Sequence, residues 1–517
     1  MHAQKPPEPG KPGRVLRLIT GGSDGQGTTG APQLLHVRVA DRGVVPMMTT
    51  KATSRAEGRP RQVGNSAERG QGRTQGRASL PANLIRVNEA AKRSGQTRFT
   101  ALLHHVDVAA LRRAYRRLKR AAAPGVDGMT VAAYAEGLEE RLQDLCGRVH
   151  DGRYRPLPAR RAYIPKADGG KRPLGILALE DKIVQSAVAE VLSAIYEADF
   201  LDCSYGFRPG RSAHQALLTM HRAIMSERVN WVLDADIRRF FDSVDHGWLL
   251  RMVEHRIADP RILRLIRQWL EAGVLENGVR VESVEGTPQG AGISPLLANL
   301  FLHYVLDLWV RQYQRRHAIG RMRLVRYSDD FVLTLERRED GERLVSALGE
   351  RLAKFGLQLH GEKTRLIEFG HFTAERRMRR TVGKPATFDF LGFTHYWART
   401  RAGRYMVLRK TQRLRTVHKL KELRENLWWR MHRPVRDQHA WLCAVLRGHY
   451  AYYGITGNSR SLALFYRQVC RAWRHVLRRR SQKRRMTWTH FNQLMQVFPL
   501  PLPHIVHVWP VPGGVLK

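Results

Sequence analysis

A Tyr-Ser-Asp-Asp tetrapeptide at residues 327–330 carries side chains suited to metal-dependent chemistry. Segments 322–326 and 331–335 on either side are rich in β-forming residues, which predicts a strand, a tight turn and a second strand. Two adjacent carboxylates repel each other at a hairpin tip. A pair of divalent cations would neutralise them, and such a pair supports nucleotidyl transfer by contacting the attacking and leaving oxygens. The alternative is a solvated acidic turn.

A second acidic position lies upstream, in the largely apolar segment 230–237. This segment predicts a buried strand, in which alternation places Asp234 and Asp236 on one face. A carboxylate in a buried strand is costly unless it is paired or coordinates a metal. Asp236 would complete a three-carboxylate, two-metal site with Asp329 and Asp330 if the two strands are neighbours. A capping or salt-bridged aspartate is the alternative.

The chain as a whole is strongly basic. Its 517 residues include 88 Lys and Arg against 46 Asp and Glu, a formal net charge of +42. Such a charge attracts polyanions of any sequence, because each neutralised phosphate releases counterions. A membrane surface is the rival partner, but no apolar run is long enough to span a bilayer and no basic amphipathic helix dominates. Nucleic acid, and no membrane, is therefore the predicted partner.

The cysteine pattern favours a reduced, cytoplasmic protein. The cysteines lie far apart and include no Cys-x-x-Cys pair; they are Cys146, Cys203, Cys443 and Cys470. Neither a zinc site nor a disulfide framework is indicated by this spacing. A structural role is the simplest interpretation of all four.

Composition changes along the chain indicate its organisation. Residues 1–80 are rich in Gly, Pro, Arg, Ser and Thr without periodicity, which predicts a disordered basic tail. The tandem Met47-Met48 offers an alternative start, which would leave residues 1–46 untranslated. A long helix is predicted over 178–200 from its apolar periodicity.

Beyond about residue 396, cations alternate with aromatic side chains on predicted basic helices. This pattern suits a phosphate backbone with exposed, stackable bases. A solvated helix face is the alternative. The cations predicted to contact nucleic acid are Arg471, Arg474, Arg478, Arg479, Arg480, Lys483, Arg484 and Arg485.

Ordered sequence blocks carry a resemblance to a known family. They occupy 125–128, 164–176, 205–212, 234–242, 286–299, 327–330, 356–364 and 390–393. In these blocks, from about 83 to about 507, the chain resembles group II intron-encoded reverse transcriptases and maturases. One departure is Ser328, where the family usually has Ala; both are small, so we expect little effect on metal binding.

The resemblance implies an α+β, right-hand polymerase fold. Fingers and a palm with an antiparallel sheet would occupy 81–395, and a helical thumb or maturase domain 396–490. A C-terminal tail would follow at 491–517, with no endonuclease domain.

The resemblance also implies the roles of individual residues. Asp236, Asp329 and Asp330 would be catalytic, and together with Ile237 would hold Mg²⁺. Lys166 and Arg172 would grip the incoming triphosphate, and the Phe241 ring would exclude a ribose 2′-hydroxyl. Gln289 and Lys363 would contact the nucleotide. A solvated basic hairpin, a core Phe241 and a surface Lys363 are the alternatives.

The implied activity is RNA-directed DNA synthesis during intron mobility. The substrates would be deoxynucleoside triphosphates, the template intron RNA, and the primer or target DNA. A maturase role, binding the intron RNA to assist splicing, accompanies it. The alternatives are a splicing-only maturase and a reverse transcriptase domesticated for host defence or sequence diversification.

Overall fold

Amphipathic helices build the N-terminal part of the chain. The computed structural model describes residues 80–165, 170–276, 279–281, 286, 292–371, 385–399, 403–480 and 486–509. The first helices are α1 (Ala82–Arg93), α2 (Val108–Arg117), α3 (Val131–Tyr134), α4 (Leu138–His150) and α5 (Leu179–Tyr196). The helix predicted over 178–200 is α5, and its apolar face is buried, which confirms the periodicity argument. The predicted N-terminal tail lies outside the described residues.

Further helices surround the central sheet. They are α6 (Ala213–Ser226), α7 (His246–Glu254), α8 (Pro260–Glu271), α9 (Ser294–Leu302), α10 (Leu308–His317) and α11 (Arg338–Ala353). A π-helical turn, His303–Asp307, joins α9 directly to α10. Such turns insert one extra residue and rotate the side chains that follow them.

The strands of the first part form two sheets. They are β1 (Ala159–Pro165), β2 (Lys171–Ile176), β3 (Trp231–Ala235), β4 (Val274–Glu276), β5 (Val279–Val281), β6 (Met322–Tyr327), β7 (Asp330–Leu335) and β8 (Arg365–Glu368). One sheet has the order β2-β1-β4-β5 and the other β6-β7-β3-β8. The second sheet is antiparallel throughout and packs against helices, as the palm prediction requires.

The last part of the chain has its own apolar core. A sheet of β9 (Phe388–Phe390), β10 (Phe393–Arg399) and β11 (Tyr405–Thr411) packs on basic helices. These helices are α12 (Arg413–Trp429), α13 (Val435–Tyr453), α14 (Ser459–Arg479) and α15 (Trp488–Val497). In the described part of the chain, no helix is long and apolar enough to cross a membrane.

The predicted domain boundaries need adjustment. The boundary at 395/396 falls inside β10, because β10 pairs with both β9 and β11 and the three strands form one sheet. The boundary at 490/491 falls inside α15. Residues beyond α15 also pack on the thumb: Ile455 bridges to His507, and the His507 amide donates to Gly454 O at 2.8 Å. Residues 501–508 alternate between partly buried and exposed, and their contacts with the thumb join segments about fifty residues apart in the sequence.

Candidate active site

The acidic tetrapeptide forms a tight hairpin turn between β6 and β7. Tyr327 pairs with Asp330, which leaves Ser328 and Asp329 as the two turn residues. Ser328 has a positive φ of 59°, the conformation that primed two-residue hairpin turns require at their first central position. The predicted strand–turn–strand is therefore confirmed. The geometry sets Asp329 at the tip and Asp330 at the start of β7.

Asp236 directly follows β3, and β3 lies beside this hairpin. β3 and β7 are antiparallel neighbours, with Ala235 opposite Phe331. The same register, continued by one residue, sets Asp236 opposite Asp330. Neighbouring strands lie about 4.8 Å apart, so this register brings the two carboxylates together at one end of the sheet. We call this end, with Asp236, Asp329 and Asp330, the acidic edge. Asp236 is only 4% exposed, which makes a counter-charge necessary.

The counter-charge in this structure is a lysine. The Lys363 ammonium lies 2.6 Å from Asp236 Oδ2, an oxygen to which the described residues donate no well-aligned hydrogen bond. Backbone bonds fix the segment around Lys363 against the end of β3. The His360 amide donates to Asp236 O at 2.8 Å, and Arg238 N donates to Gln358 O at 3.0 Å. Lys363 is thus held at the acidic edge.

The acidic edge fits a divalent metal chemically. Across the described ranges, no three Asp, Glu, His or Cys side chains already converge as a metal site. The carboxylates of Asp236, Asp329 and Asp330 are nevertheless the hard oxygen ligands that Mg²⁺ prefers, and a cation already contacts one of them. Ile237 can add only its backbone carbonyl, and it bridges to Leu359 beside the site.

A glycine lets a neighbouring loop approach the acidic turn. A Cβ atom on Gly206 would lie 2.2 Å from the Ser328 amide nitrogen, so any larger residue would displace the turn. The loop is also bound to β6, since Tyr205 N donates to Arg326 O at 2.8 Å and Arg326 N donates to Cys203 O at 2.8 Å. Close contact with the turn explains the glycine in the 205–212 block.

A buried arginine, which the sequence analysis did not identify, holds the turn from below. Arg326 is 0% exposed. Its guanidinium donates to both carboxylate oxygens of Asp307, at 2.8 and 2.6 Å. It also donates to Asn299 Oδ1 at 2.9 Å and to Ser328 O at 2.8 Å. Asn299 in turn donates to Gly206 O at 2.7 Å, which ties the loop into the same network.

The π-helical turn explains the position of Asp307. Asp307 is the last residue of that turn and lies fully buried beneath the hairpin. Burial raises the pKa of Asp307, and the Arg326 guanidinium opposes this by stabilising the charged carboxylate. The only sequence signal for the pair was an Arg and an Asp in otherwise apolar segments.

Strained backbone clusters around the site. Non-glycine residues with positive φ include Phe207 (56°), Arg239 (51°) and Ser328 (59°). Phe207 follows Gly206, Arg239 precedes the turn that carries Phe241, and Ser328 is in the acidic turn itself. Such strain costs about 1–3 kcal/mol per residue and concentrates at functional sites. Phe207 is also 41% exposed, which the sequence analysis missed.

Comparisons with known proteins agree with this geometry. Residues 164–395 match the family model described as reverse transcriptase (RNA-dependent DNA polymerase). The group II intron-encoded protein LtrA of Lactococcus lactis subsp. cremoris is 39% identical over 230 residues, 44% of this chain and 38% of LtrA. Residues 164–395 therefore resemble a reverse transcriptase domain, and part of the chain is similar to a group II intron-encoded protein.

Two other proteins are similar to this chain over shorter segments. Protein YkfC of Escherichia coli K12 is 43% identical over 188 residues, 36% of this chain and 49% of YkfC. An uncharacterized 91 kDa protein in a cob intron of Schizosaccharomyces pombe is 44% identical over 146 residues, 28% of this chain and 18% of that protein. The chain spans less than half the length of the relatives it matches.

Phe241 lies in a short 3₁₀ turn shortly after β3. Its ring is half-buried and its centroid lies 5.1 Å from that of Phe240. Gly286 packs on this turn, since a Cβ there would lie 2.8 Å from Phe241 O. One side of the ring therefore packs on the core while part of it stays accessible, so its role as a sugar gate stays a prediction.

One of the predicted triphosphate contacts, Arg172, lies in the described part of the chain. Arg172 lies on β2 and its backbone pairs with Ile164 of β1, which confirms the predicted hairpin strands. Lys166 and Gln289 lie outside the described residues. Their roles stay predictions.

The predicted RNA-contacting cations of the thumb differ in environment. Arg471, Arg478 and Arg479 are exposed. Arg474 lies 4.3 Å from the Trp488 ring centroid, and Arg480 donates to Arg433 O at 3.0 Å. These two arginines therefore also stabilise the protein. Lys483, Arg484 and Arg485 lie outside the described residues.

Proposed function

We propose that this chain catalyses RNA-directed DNA synthesis at the acidic edge of its palm sheet. The observation that carries the proposal is the register between β3 and β7, which brings Asp236 to the turn with Asp329 and Asp330. A primer 3′-hydroxyl would attack the α-phosphate of a deoxynucleoside triphosphate at these carboxylates. Pyrophosphate would leave.

Mg²⁺ bound to these carboxylates would lower the pKa of the hydroxyl and stabilise the developing negative charge. The residues that would hold it are Asp236, Asp329 and Asp330, with the carbonyl of Ile237. Before a metal binds, the Lys363 ammonium balances the negative charge of Asp236. Once the metal takes over this role, the ammonium would be available to a triphosphate oxygen.

The other substrate contacts follow from the fingers and the 3₁₀ turn. Lys166 and Arg172 would hold triphosphate oxygens, a task that suits the planar fork of arginine. Gln289 would position the nucleotide against the template. Phe241 would lie under the sugar and exclude a 2′-hydroxyl.

The thumb supports a second role, binding of intron RNA to assist splicing. Its exposed arginines would contact phosphates, and two relatives carry printed names that place them in introns. A splicing-only protein is disfavoured because the carboxylates at 236, 329 and 330 are all present. Intact carboxylates are expected both for intron mobility and for a domesticated reverse transcriptase. We propose the intron function because the names of two similar proteins refer to introns.

Primer extension on an RNA template tests the catalytic assignment. Asp236→Ala and Asp329→Ala should each abolish extension, because neither the metal nor the attacking oxygen is then held. RNA affinity should stay within about twofold, since the thumb cations are untouched. Ser328→Ala, in the same turn, is the matched control and should extend at the wild-type rate. Normal extension by either aspartate variant would disprove the site.

A further inference from the structure

The last two residues of α12, just before the turn to α13, are neighbouring tryptophans that face solvent. Trp428 is 50% exposed and Trp429 is 84% exposed. Tryptophan is normally mostly buried, because its large apolar surface favours removal from water. Two adjacent exposed rings on one turn therefore mark a contact surface.

A buried glutamine holds this turn rigidly. The Gln438 side chain is 0% exposed, and its amide nitrogen lies 2.9 to 3.1 Å from the carbonyl oxygens of Arg430, Met431 and Arg433. The indole of Trp473 donates to Gln438 Oε1 at 3.0 Å. A turn fixed in this way presents its side chains with little entropy left to lose on binding.

Cations surround the exposed rings. Arg433 and Arg436 are exposed on the turn and at the start of α13. Arg480, at the end of α14, donates to Arg433 O at 3.0 Å, which brings the exposed Arg478 and Arg479 to the same end of the thumb. The acidic residue of the first turn of α13 is Asp437, so positive charge predominates here.

We infer that Trp428 and Trp429 bind unpaired bases of RNA, with Arg433 and Arg436 on the adjoining phosphates. We call these four residues the tryptophan turn. Indole rings stack on any unpaired base, but they cannot reach base faces within a continuous duplex. The inference rests on the proposed RNA binding and adds which part of the RNA is recognised.

Charge favours RNA over other occupants. Between residues 403 and 509 the acidic residues are Glu422, Glu425 and Asp437 alone, in a segment rich in arginine. A protein partner of ordinary composition would leave these arginines unpaired at the interface. An anionic membrane would attract the same cations, so the experiment includes vesicles as a competing ligand.

The test compares two RNA ligands of equal length and charge, one a hairpin with an unpaired loop and the other a blunt duplex. A Trp428→Leu/Trp429→Leu variant keeps apolar surface but loses the rings. It should bind the looped RNA at least about 5- to 150-fold more weakly, the range expected for one lost stacking contact, and the duplex within about twofold. A Trp428→Phe/Trp429→Phe variant should retain most of the affinity.

Tryptophan fluorescence gives an independent readout. Stacked bases should quench the emission of the full chain when looped RNA is added, and the leucine variant should lose most of that quenching. Equal loss on both RNA ligands, or no loss on the looped RNA, would overturn the inference. So would a variant that loses binding to vesicles of anionic lipid yet binds looped RNA normally.

The polymerase proposal can fail separately. Extension of a short preformed template–primer should proceed normally in the leucine variant. Asp236→Ala should bind looped RNA like the wild type. A variant that loses extension but still binds looped RNA therefore tests the palm proposal alone. A variant that loses binding to looped RNA but still extends a primer tests the tryptophan turn alone.

Discussion

The palm and the thumb use their arginines in opposite ways. In the palm, buried arginines pair with carboxylates: Arg326 with Asp307 at 2.6 Å, Arg208 with Glu197 at 3.0 Å, and Arg256 with Asp199 at 3.0 Å. In the thumb, acidic partners are scarce and many arginines face solvent. The palm thus uses charge to fix geometry, and the thumb keeps charge available for a polyanion.

One arginine of the thumb is buried against an aromatic ring. Arg409 lies 3.7 Å from the centroid of the Trp509 ring, and no described carboxylate pairs with it. Burial lowers the pKa of Arg409 to about 9. An aromatic face stabilises this cation, as the rings of Trp309 and Phe355 do for the buried Arg351 of the palm.

The largest expected effect comes from breaking the palm network. Arg326→Met leaves the Asp307 carboxylate buried and unpaired, which should cost about 3–5 kcal/mol of unfolding free energy. It also removes the donor to Ser328 O, so extension should fall about 100-fold, as expected for a catalytic group displaced by about 1 Å. Urea unfolding and single-turnover extension measure the two effects.

A double variant separates stability from positioning. Arg326→Met with Asp307→Leu removes both charges, so most of the lost stability should return. Extension should stay low, because nothing then holds the turn. Recovery of both quantities together would show that Arg326 acts only on stability.

On the thumb side, Arg478→Gln/Arg479→Gln should weaken RNA binding with little effect on stability. Each lost phosphate contact should reduce the slope of log affinity against log salt by about 0.7 to 0.9. Arg480→Gln is the contrasting variant, since it loses its bond to Arg433 O and should lower the unfolding midpoint as well. The assignment of Arg478 and Arg479 to phosphate contacts would be contradicted if wild type and double variant had equal RNA affinities and equal slopes of log affinity against log salt.

Acidification should affect both regions through buried histidines. Burial lowers the pKa of His303 in the palm and of His449 in the thumb to about 3, with Arg326 and Lys419 adding to the respective shifts. Above pH 6.5 both are neutral whether folded or unfolded. As pH falls from 6.5 towards 3, only the unfolded chain gains these protons, so stability should fall.

The slope of this loss is measurable. Each histidine should contribute up to about 1.4 kcal/mol of lost stability per pH unit within that window. His449→Phe should flatten the dependence of the unfolding midpoint between pH 7 and pH 5. If the unfolding midpoint of the variant depended on pH as it does in the wild type, His449 would not be a buried, neutral side chain.

Substitution of Phe241 should have the smallest effect on DNA synthesis from deoxynucleotides. Phe241→Val should admit ribonucleotides by opening space under the sugar, while deoxynucleotide incorporation changes little. Single-nucleotide incorporation measures this ratio. Unchanged discrimination with a lowered unfolding midpoint would identify Phe241 as a core residue.

Local patterns in the sequence were enough for the elements that carry the chemistry. The hairpin at 327–330, the strand ending at Asp236 and helix α5 follow from alternation and periodicity over neighbouring residues. The family resemblance then implied which carboxylates would meet. Both predictions depend on short stretches of chain, which sequence reports directly.

Only the tertiary structure decided how the site is held. Arg326 and Asp307 meet because a π-helical turn and a β-strand pack together, and neither periodicity nor composition reveals such a pair. The thumb boundary at β10 and the packing of residues 499–509 likewise depend on pairing between distant segments. The sequence by itself determined which groups are candidates for the chemistry. Long-range contacts determined their positions, because those contacts join residues that no local pattern relates.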